Sequence, residues 1–141
     1  MTIEQLHRRL SENGISPNDY YLQGLFGSTD DNEKIALRIF KMDNKITYQV
    51  YFKERGQISW TKEFYNEADA AQEIFRKLRD QQIFWIISKT EGLGGMTVNE
   101  RLFAVGLMDE FEEIVLKDKN RAKQILRWLR VDEPSIGLIV K

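Results

Sequence analysis

Few side chains in this sequence have the types and spacing that enzyme chemistry requires. The single histidine is His7, and the chain contains no cysteine. A zinc site therefore lacks most of its usual nitrogen and sulfur ligands. Neither a Ser-His-Asp nor a Cys-His arrangement can form without His7. We therefore expect no catalytic residue, no metal site and no cofactor.

Two short segments have the composition of ligand-binding motifs but not their spacing. The glycine-rich segment Glu91 to Met96 differs from the phosphate-binding fingerprint in its spacing, and no strand-helix-strand context precedes it. The acidic segment Asp30 to Glu33 lacks the ligand spacing and the central glycine of a calcium-binding loop. We expect neither segment to bind a small ligand.

Acidic side chains provide a first candidate for a partner surface. On a helix over residues 98–116, Asp109, Glu110 and Glu113 would fall within an arc of about 100°. A further acidic group, Asp30, Asp31 and Glu33, lies in a polar segment elsewhere in the chain. Such carboxylates would steer and select a basic partner. The alternative is that both groups are ordinary solvated surface.

Aromatic side chains provide a second candidate. Tyr51 falls on the opposite strand face from Tyr48, and Glu54 and Arg55 follow it closely. An exposed tyrosine beside charged residues would be a good interface anchor. The alternative is that the first and third helices cover this second face of the sheet.

The strand patterns that would position these residues lie between Lys34 and Phe64. In the clearest strand, Ile46, Tyr48, Val50 and Phe52 alternate with more polar residues, which indicates a sheet with one apolar face. Short turns separate three such strands, and a shorter strand is expected within residues 20–26. Short connections favour antiparallel neighbours. The sequence thus predicts an α+β fold with an antiparallel meander of three to four strands packed by helices.

Helical patterns flank this meander on both sides. Thr2 and Gln5 have the spacing of a capping box that opens a helix over residues 3–13. A second helix begins after Asn66, and its segment Ile83 to Ile87 is apolar all round, which predicts burial on every side. Further helices are expected over 98–116, 120–129 and after Pro134. We therefore expect an α+β sheet domain over residues 1–90 and a helical subdomain over 91–141.

The composition limits the classes of partner. The formal net charge is −1, whereas non-specific binding of nucleic acid requires an excess of lysine and arginine. No apolar stretch has the roughly 18 residues that a spanning helix needs. The polar N-terminus does not have the pattern of a signal peptide. We therefore expect a cytoplasmic protein that binds neither nucleic acid nor a membrane directly.

Two stretches that together cover most of the chain, residues 3–78 and 96–140, resemble immunity proteins encoded beside bacterial polymorphic or contact-dependent toxins. The first resembles an N-terminal helix ending in Gly-Ile, a strand pair with a VYxxERG turn, and a final helix after an aromatic strand end. The second resembles a helical tail. The matching segments are Ile3 to Leu10 with Gly14-Ile15, Val50 to Gly56, Phe64 with the helix from Glu67, Met96 to Leu102, Gly106 to Phe111, and Ser135-Ile136.

The resemblance implies a non-catalytic protein whose partner is one cognate toxin domain. Such a protein neutralises the toxin by covering or distorting its active site. If the toxin is a nuclease, its substrate cleft is basic, and carboxylates of the immunity protein would mimic phosphate there. The alternative function is a non-catalytic adaptor or regulatory module that binds another protein.

Overall fold

The computed structural model describes all 141 residues, and the chain forms two compact units, Met1–Gln81 and Gln82–Lys141. The division falls inside a long helix, α2 (Glu67–Lys89), whereas the sequence-based boundary was placed just after that helix. Each unit has its own cluster of buried apolar side chains. The two units are described separately below.

The first unit is built on a mixed five-stranded sheet with the order β2-β1-β3-β4-β5. The three long strands form the expected antiparallel meander, so the α+β class is confirmed. The antiparallel prediction is wrong for the short strand β1, which runs parallel to β3. The strands are β1 (Tyr20–Leu22), β2 (Phe26–Gly27), β3 (Ile35–Met42), β4 (Lys45–Glu54) and β5 (Gln57–Phe64).

Glycine geometry explains why β1 has this position. Gln23 and Gly24 both have positive φ angles and reverse the chain, so that β2 returns antiparallel along the outer side of β1. At Gly27, an added Cβ would lie 2.4 Å from the carbonyl oxygen of Tyr20, so only glycine fits this close approach. The following segment, residues 28–34, then leads back to the start of β3 on the other side of β1.

Helices α1 (Ile3–Glu12) and α2 pack against one face of this sheet, which we call the helix face. The predicted capping box of α1 is confirmed, since Thr2 and Gln5 each accept a hydrogen bond from the backbone N–H of the other. The side-chain oxygen of Asn66 accepts hydrogen bonds from the first backbone N–H groups of α2. The helix face includes Ile35, Leu37, Val50 and Trp60, which pack with Leu6, Leu10, Ala71, Ile74 and Leu78.

The second unit contains the C-terminal part of α2 and four shorter helices. The helix expected over 98–116 is in fact two, because Gly106 adopts φ 74° and interrupts it. Phe103, just before this interruption, is 79% exposed. The helices are α3 (Val98–Ala104), α4 (Met108–Lys117), α5 (Lys119–Trp128) and α6 (Glu133–Ile139). The buried cluster includes Ile83, Leu102, Leu107, Phe111, Ile125, Leu126, Leu129 and Ile136.

The apolar segment at the end of α2 is not buried on every side, contrary to the expectation from its sequence. Ile83 and Ile87 are buried, whereas Phe84 is 51% and Trp85 is 63% exposed. The ring of Phe84 lies 4.7 Å from that of Trp128, which shields part of its surface. None of the helices combines the length and the hydropathy that a bilayer crossing requires.

Candidate protein-binding face

The face of the sheet opposite the helix face carries a row of three polar side chains. Gln49 of β4 is paired with Arg38 of β3 on one side and with Glu63 of β5 on the other. Directly paired residues point to the same face, so these three side chains form a line across the strands. We call this side of the sheet the open face. Its members include Tyr21, Ala36, Arg38, Phe40, Thr47, Gln49, Tyr51, Thr61 and Glu63.

Arg38 is held in place within this row. Its Nε donates a hydrogen bond of 2.7 Å to the side-chain oxygen of Gln49, which is itself only 8% exposed. Its guanidinium carbon lies 5.3 Å from the ring centre of Phe40 and 5.9 Å from that of Tyr51. Both distances are within the range of cation–π attraction. The terminal nitrogens make no hydrogen bond or ion pair in the protein, so an exposed donor fork is presented on the open face.

A depression of about 540 Å³ surrounds this arginine. Arginine, tyrosine and methionine are residue types enriched at protein interfaces, and arginine and tyrosine are frequent hot spots within them. The depression therefore has the composition of a protein-binding surface. It is lined by Tyr21, Gln23, Arg38, Ile39, Phe40, Met42, Gln49 and Glu63.

The side chain of Gln23 closes one edge of this surface. Its amide nitrogen donates a 3.0 Å hydrogen bond to the carbonyl of Ile39, and its amide oxygen accepts one from the N–H of the same residue. Strand β1 is too short to cover this part of β3, so the amide group takes the place of a neighbouring strand. This arrangement removes part of an exposed strand edge that could otherwise pair with another chain.

Tyr51 is buried rather than exposed, so the expectation of an exposed anchor at this position is wrong. Its side chain is 4% exposed, and its hydroxyl donates a hydrogen bond of 2.6 Å to Asp31. The ammonium of Lys53 lies 3.0 Å from the same carboxylate. The hydrogen bond from Tyr51, assisted by Lys53, lowers the pKa of Asp31, and burial of the carboxylate opposes the change. Burial and the adjacent Asp31 together raise the pKa of Tyr51.

The other two acids of the polar segment are also engaged within the first unit. Asp30 accepts hydrogen bonds from Ser28, the backbone N–H of Asn32 and Lys34, which lower its pKa to about 2, with the bond from Ser28 as the largest cause. Glu33 accepts a 2.6 Å hydrogen bond from the backbone N–H of Arg55. Residues 28–34 are therefore fastened to the end of β4 by the carboxylates of Asp31 and Glu33, while Asp30 braces the segment internally.

Glu54 is the last residue of β4 and Arg55 begins the tight turn to β5, and both are exposed. Arg55 and Gly56 have positive φ angles, which this turn requires. The structure thus brings together, at one end of β4, all six residues of the first unit that the sequence singled out as partner-binding candidates. They are Asp30, Asp31, Glu33, Tyr51, Glu54 and Arg55.

The remaining candidates, Asp109, Glu110 and Glu113, lie on α4 in the second unit. Asp109 and Glu113 are exposed, and Glu110 is half-buried. Asp109 and Glu110 occupy the first turn of α4, where no side chain caps the helix. Carboxylates in a first turn offset the positive end of the helix dipole. These two acids therefore stabilise α4 locally, whatever else they contact.

Sequence reasoning did not single out Arg38, Phe40, Gln49 or Glu63. One sequence signal could have identified them. All four alternate with the residues of the apolar face along their strands, and they are large or charged, whereas a solvated sheet face usually carries small polar side chains. No group of three or more histidine, aspartate or glutamate side chains is arranged to hold a metal ion. Comparisons of the chain with family models, curated proteins and solved structures found no match.

Proposed function

We propose that this chain is an immunity protein that binds and neutralises a cognate bacterial toxin domain in the cytoplasm. The observation that carries the proposal is the open face, where Arg38 is fixed among aromatic rings without an ion-pair partner. The resemblance of residues 3–78 and 96–140 to immunity proteins supports the same function. In this proposal the chain acts by binding, and it makes or breaks no covalent bond.

The geometry of the open face suits tight binding because its main anchor is already ordered. Association costs the entropy of each side chain that must be immobilised, about 0.5 to 1.5 kcal/mol for a long one. Arg38 has already lost much of this freedom through its bond to Gln49 and its contacts with Phe40 and Tyr51. More of the interaction energy then appears as affinity.

The acidic segment, residues 28–34, supports binding by holding the edge of the open face, at the β4–β5 turn, in a fixed position. Asp31 ties the segment to Tyr51 and Lys53, and Glu33 ties it to the β4–β5 turn. A rim held in this way presents Glu54 and Arg55 in one arrangement. Specific binding of a single partner is favoured when the binding surface does not have to reorganise.

Co-expression tests this function directly. The toxin domain encoded by the neighbouring gene is expressed in bacteria with or without the full-length chain, and colony survival is counted. The proposal predicts survival only when the chain is present, and no protection against a toxin domain from an unrelated system. Death of cells that contain the soluble full-length chain would contradict it.

A second candidate, an adaptor that binds an extended peptide, is favoured by one feature of the sheet. Strand β5 forms an edge of eight residues whose outer side has no neighbouring strand. An extended peptide could add to this edge by backbone hydrogen bonding. A pull-down with the full-length chain that recovers a non-toxic protein, together with no protection in the survival test, would favour the adaptor.

A further inference from the structure

We propose that Arg38 and Glu63 form a bipolar docking strip that binds one acidic and one basic side chain of the protein partner. This inference rests on the proposed function, because it takes the occupant of the open face to be a protein. Beyond that function, it specifies the charge of the partner group that each end of the strip contacts. Arg38 receives a carboxylate, and Glu63 receives an ammonium or guanidinium group.

Arg38 and Glu63 do not form an ion pair with each other in this structure. Arg38 and Glu63 flank Gln49 on its two neighbouring strands, so their backbones lie about 10 Å apart. Each is exposed, and neither makes an ion pair in the protein. Lys62, the next residue on β5, is different: it points to the helix face and lies 3.8 Å from Glu73 of α2. On β5, the acid of the open face is thus left without an ion-pair partner, whereas the neighbouring base on the helix face has one.

Arg38 is suited to a carboxylate by its geometry. Its Nε is occupied by Gln49, which leaves the two terminal nitrogens as a fork with a fixed direction. A guanidinium fork matches the two oxygens of a carboxylate, and charge-assisted bonds of this kind are stronger than neutral ones. The rings of Phe40 and Tyr51 limit the access of water to one side of the ion pair that would form.

The neighbouring charge favours a protein over a nucleic acid as the occupant. A nucleic acid would bring a row of phosphates to this surface, and Glu63 would repel those beside the single arginine. The whole chain has a net charge of −1, which provides no compensating attraction. A protein segment can carry a positive and a negative side chain at the required spacing, so it can pair with both Arg38 and Glu63.

Affinity measurements on the full-length chain test the strip. The probe is the toxin domain of the neighbouring gene, inactivated for handling, and binding is measured by calorimetry. Arg38→Glu and Glu63→Arg are each expected to weaken binding about 30-fold, the loss typical of an interface hot spot. Arg8→Glu and Glu12→Arg make the same charge changes at exposed positions of α1 and are expected to have no effect.

Charge reversal in the partner makes the test specific. Suppressors of Arg38→Glu, selected in the toxin gene for restored protection, are expected to replace an aspartate or glutamate by lysine or arginine. Arg38→Gln removes the charge with a smaller change in shape, and thermal unfolding identifies any variant that fails to fold. A short single-stranded DNA is expected not to bind.

The possible results distinguish failure of the docking strip from failure of the proposed immunity function. If wild-type chain protects and binds but Arg38→Gln and Glu63→Arg bind equally well, the strip is wrong and the function stands. If wild-type chain neither protects nor binds, both are overturned. Binding of the DNA that is lost in Arg38→Gln would show that the occupant is a nucleic acid, and would overturn the strip.

Discussion

The hydroxyl of Tyr51 lies 2.6 Å from the carboxylate of Asp31, and this bond joins β4 to a segment 20 residues earlier in the chain. Tyr51 also forms part of the surface against which Arg38 rests, since the guanidinium carbon lies 5.9 Å from its ring centre. Tyr51 therefore fastens the acidic segment with its hydroxyl and supports Arg38 on the open face with its ring.

Removal of this hydroxyl is expected to destabilise the protein. Tyr51→Phe leaves the carboxylate of Asp31 without one of its donors, and loss of a hydrogen bond to a charged group costs about 1.5 to 3 kcal/mol. Urea unfolding measures the change. Tyr48→Phe is the matched control, because the hydroxyl of Tyr48 makes no hydrogen bond in the protein. Equal stabilities of the two variants would contradict this account of Tyr51.

The acidic segment also predicts how stability depends on pH. The pKa of Asp31 is lowered in the folded protein, and that of Asp30 is lowered to about 2, whereas both are near 4 in an unfolded chain. The unfolded chain therefore binds more protons between these values, and stability present above about pH 4 falls as the pH is lowered toward 2.

Urea unfolding between pH 7 and pH 2 tests this dependence. Asp31→Asn is expected to be less stable than the wild type at pH 7 and to lose less stability on acidification, because Asp31 no longer titrates. Tyr51→Phe is expected to have an intermediate slope, since Lys53 still lies near the carboxylate. A wild-type profile and an Asp31→Asn profile that run parallel would show that this carboxylate has no stabilising role.

Replacement of an apolar residue of the first unit by alanine is expected to lower stability much more where the side chain is buried than where it is exposed. Leu78 is 2% exposed and packs in the buried cluster. Its replacement by alanine should lower the free energy of unfolding by about 2 to 5 kcal/mol. Trp60→Ala should also be destabilising by a few kcal/mol, because its ring packs on the helix face and lies 4.2 Å from the ammonium of Lys77.

Leu25→Ala is the matched control for Leu78→Ala. It removes the same atoms from a side chain that is 70% exposed, so a change of less than about 0.5 kcal/mol is expected. Thermal or urea unfolding gives both values. A loss at Leu25 as large as that at Leu78 would contradict the assignment of the core.

Charge reversal of the acids of α4 tests whether the second unit contributes to the partner surface. If these acids contact the proposed partner, the triple change Asp109→Lys, Glu110→Lys and Glu113→Lys is expected to weaken its binding. It should also lower stability slightly, because lysine at positions 109 and 110, in the first turn, opposes the helix dipole by about 0.3 to 1 kcal/mol at each of these two positions. Glu112→Lys is a single-charge control on the same helix. Unchanged affinity of the triple variant would leave these acids with their local role alone.

The parts of the fold that local patterns encode were predictable from the sequence. The three long strands follow from their alternation, and the capping box of α1 follows from Thr2 and Gln5. The parallel pairing of β1 was not predictable, because a strand of three residues is too short to show a period. The break in the helix at Gly106 was hidden by the continuous apolar pattern on either side of it.

The candidate site was predictable only in part, because its contacts join residues far apart in sequence. The sequence identified Asp31 and Tyr51 as candidates but gave no sign that the two are hydrogen-bonded to each other. Arg38 became a candidate only when the register of β3 and β4 placed it beside Gln49. Pairing across a sheet decides such contacts, and no local spacing encodes it.

If the proposed partner docks on the open face, adjacent residues of β5 allow a direct test of that docking. Thr61 is paired with Tyr51 and lies on the open face, whereas Lys62 is paired with Val50 and lies on the helix face; both are exposed. A photo-crosslinking amino acid is placed at one position or the other in the full-length chain, which is then irradiated with the toxin domain. The account predicts a covalent complex from position 61 and little from position 62. Crosslinking from position 62 alone, or none from position 61 under conditions where the two proteins bind, would contradict it.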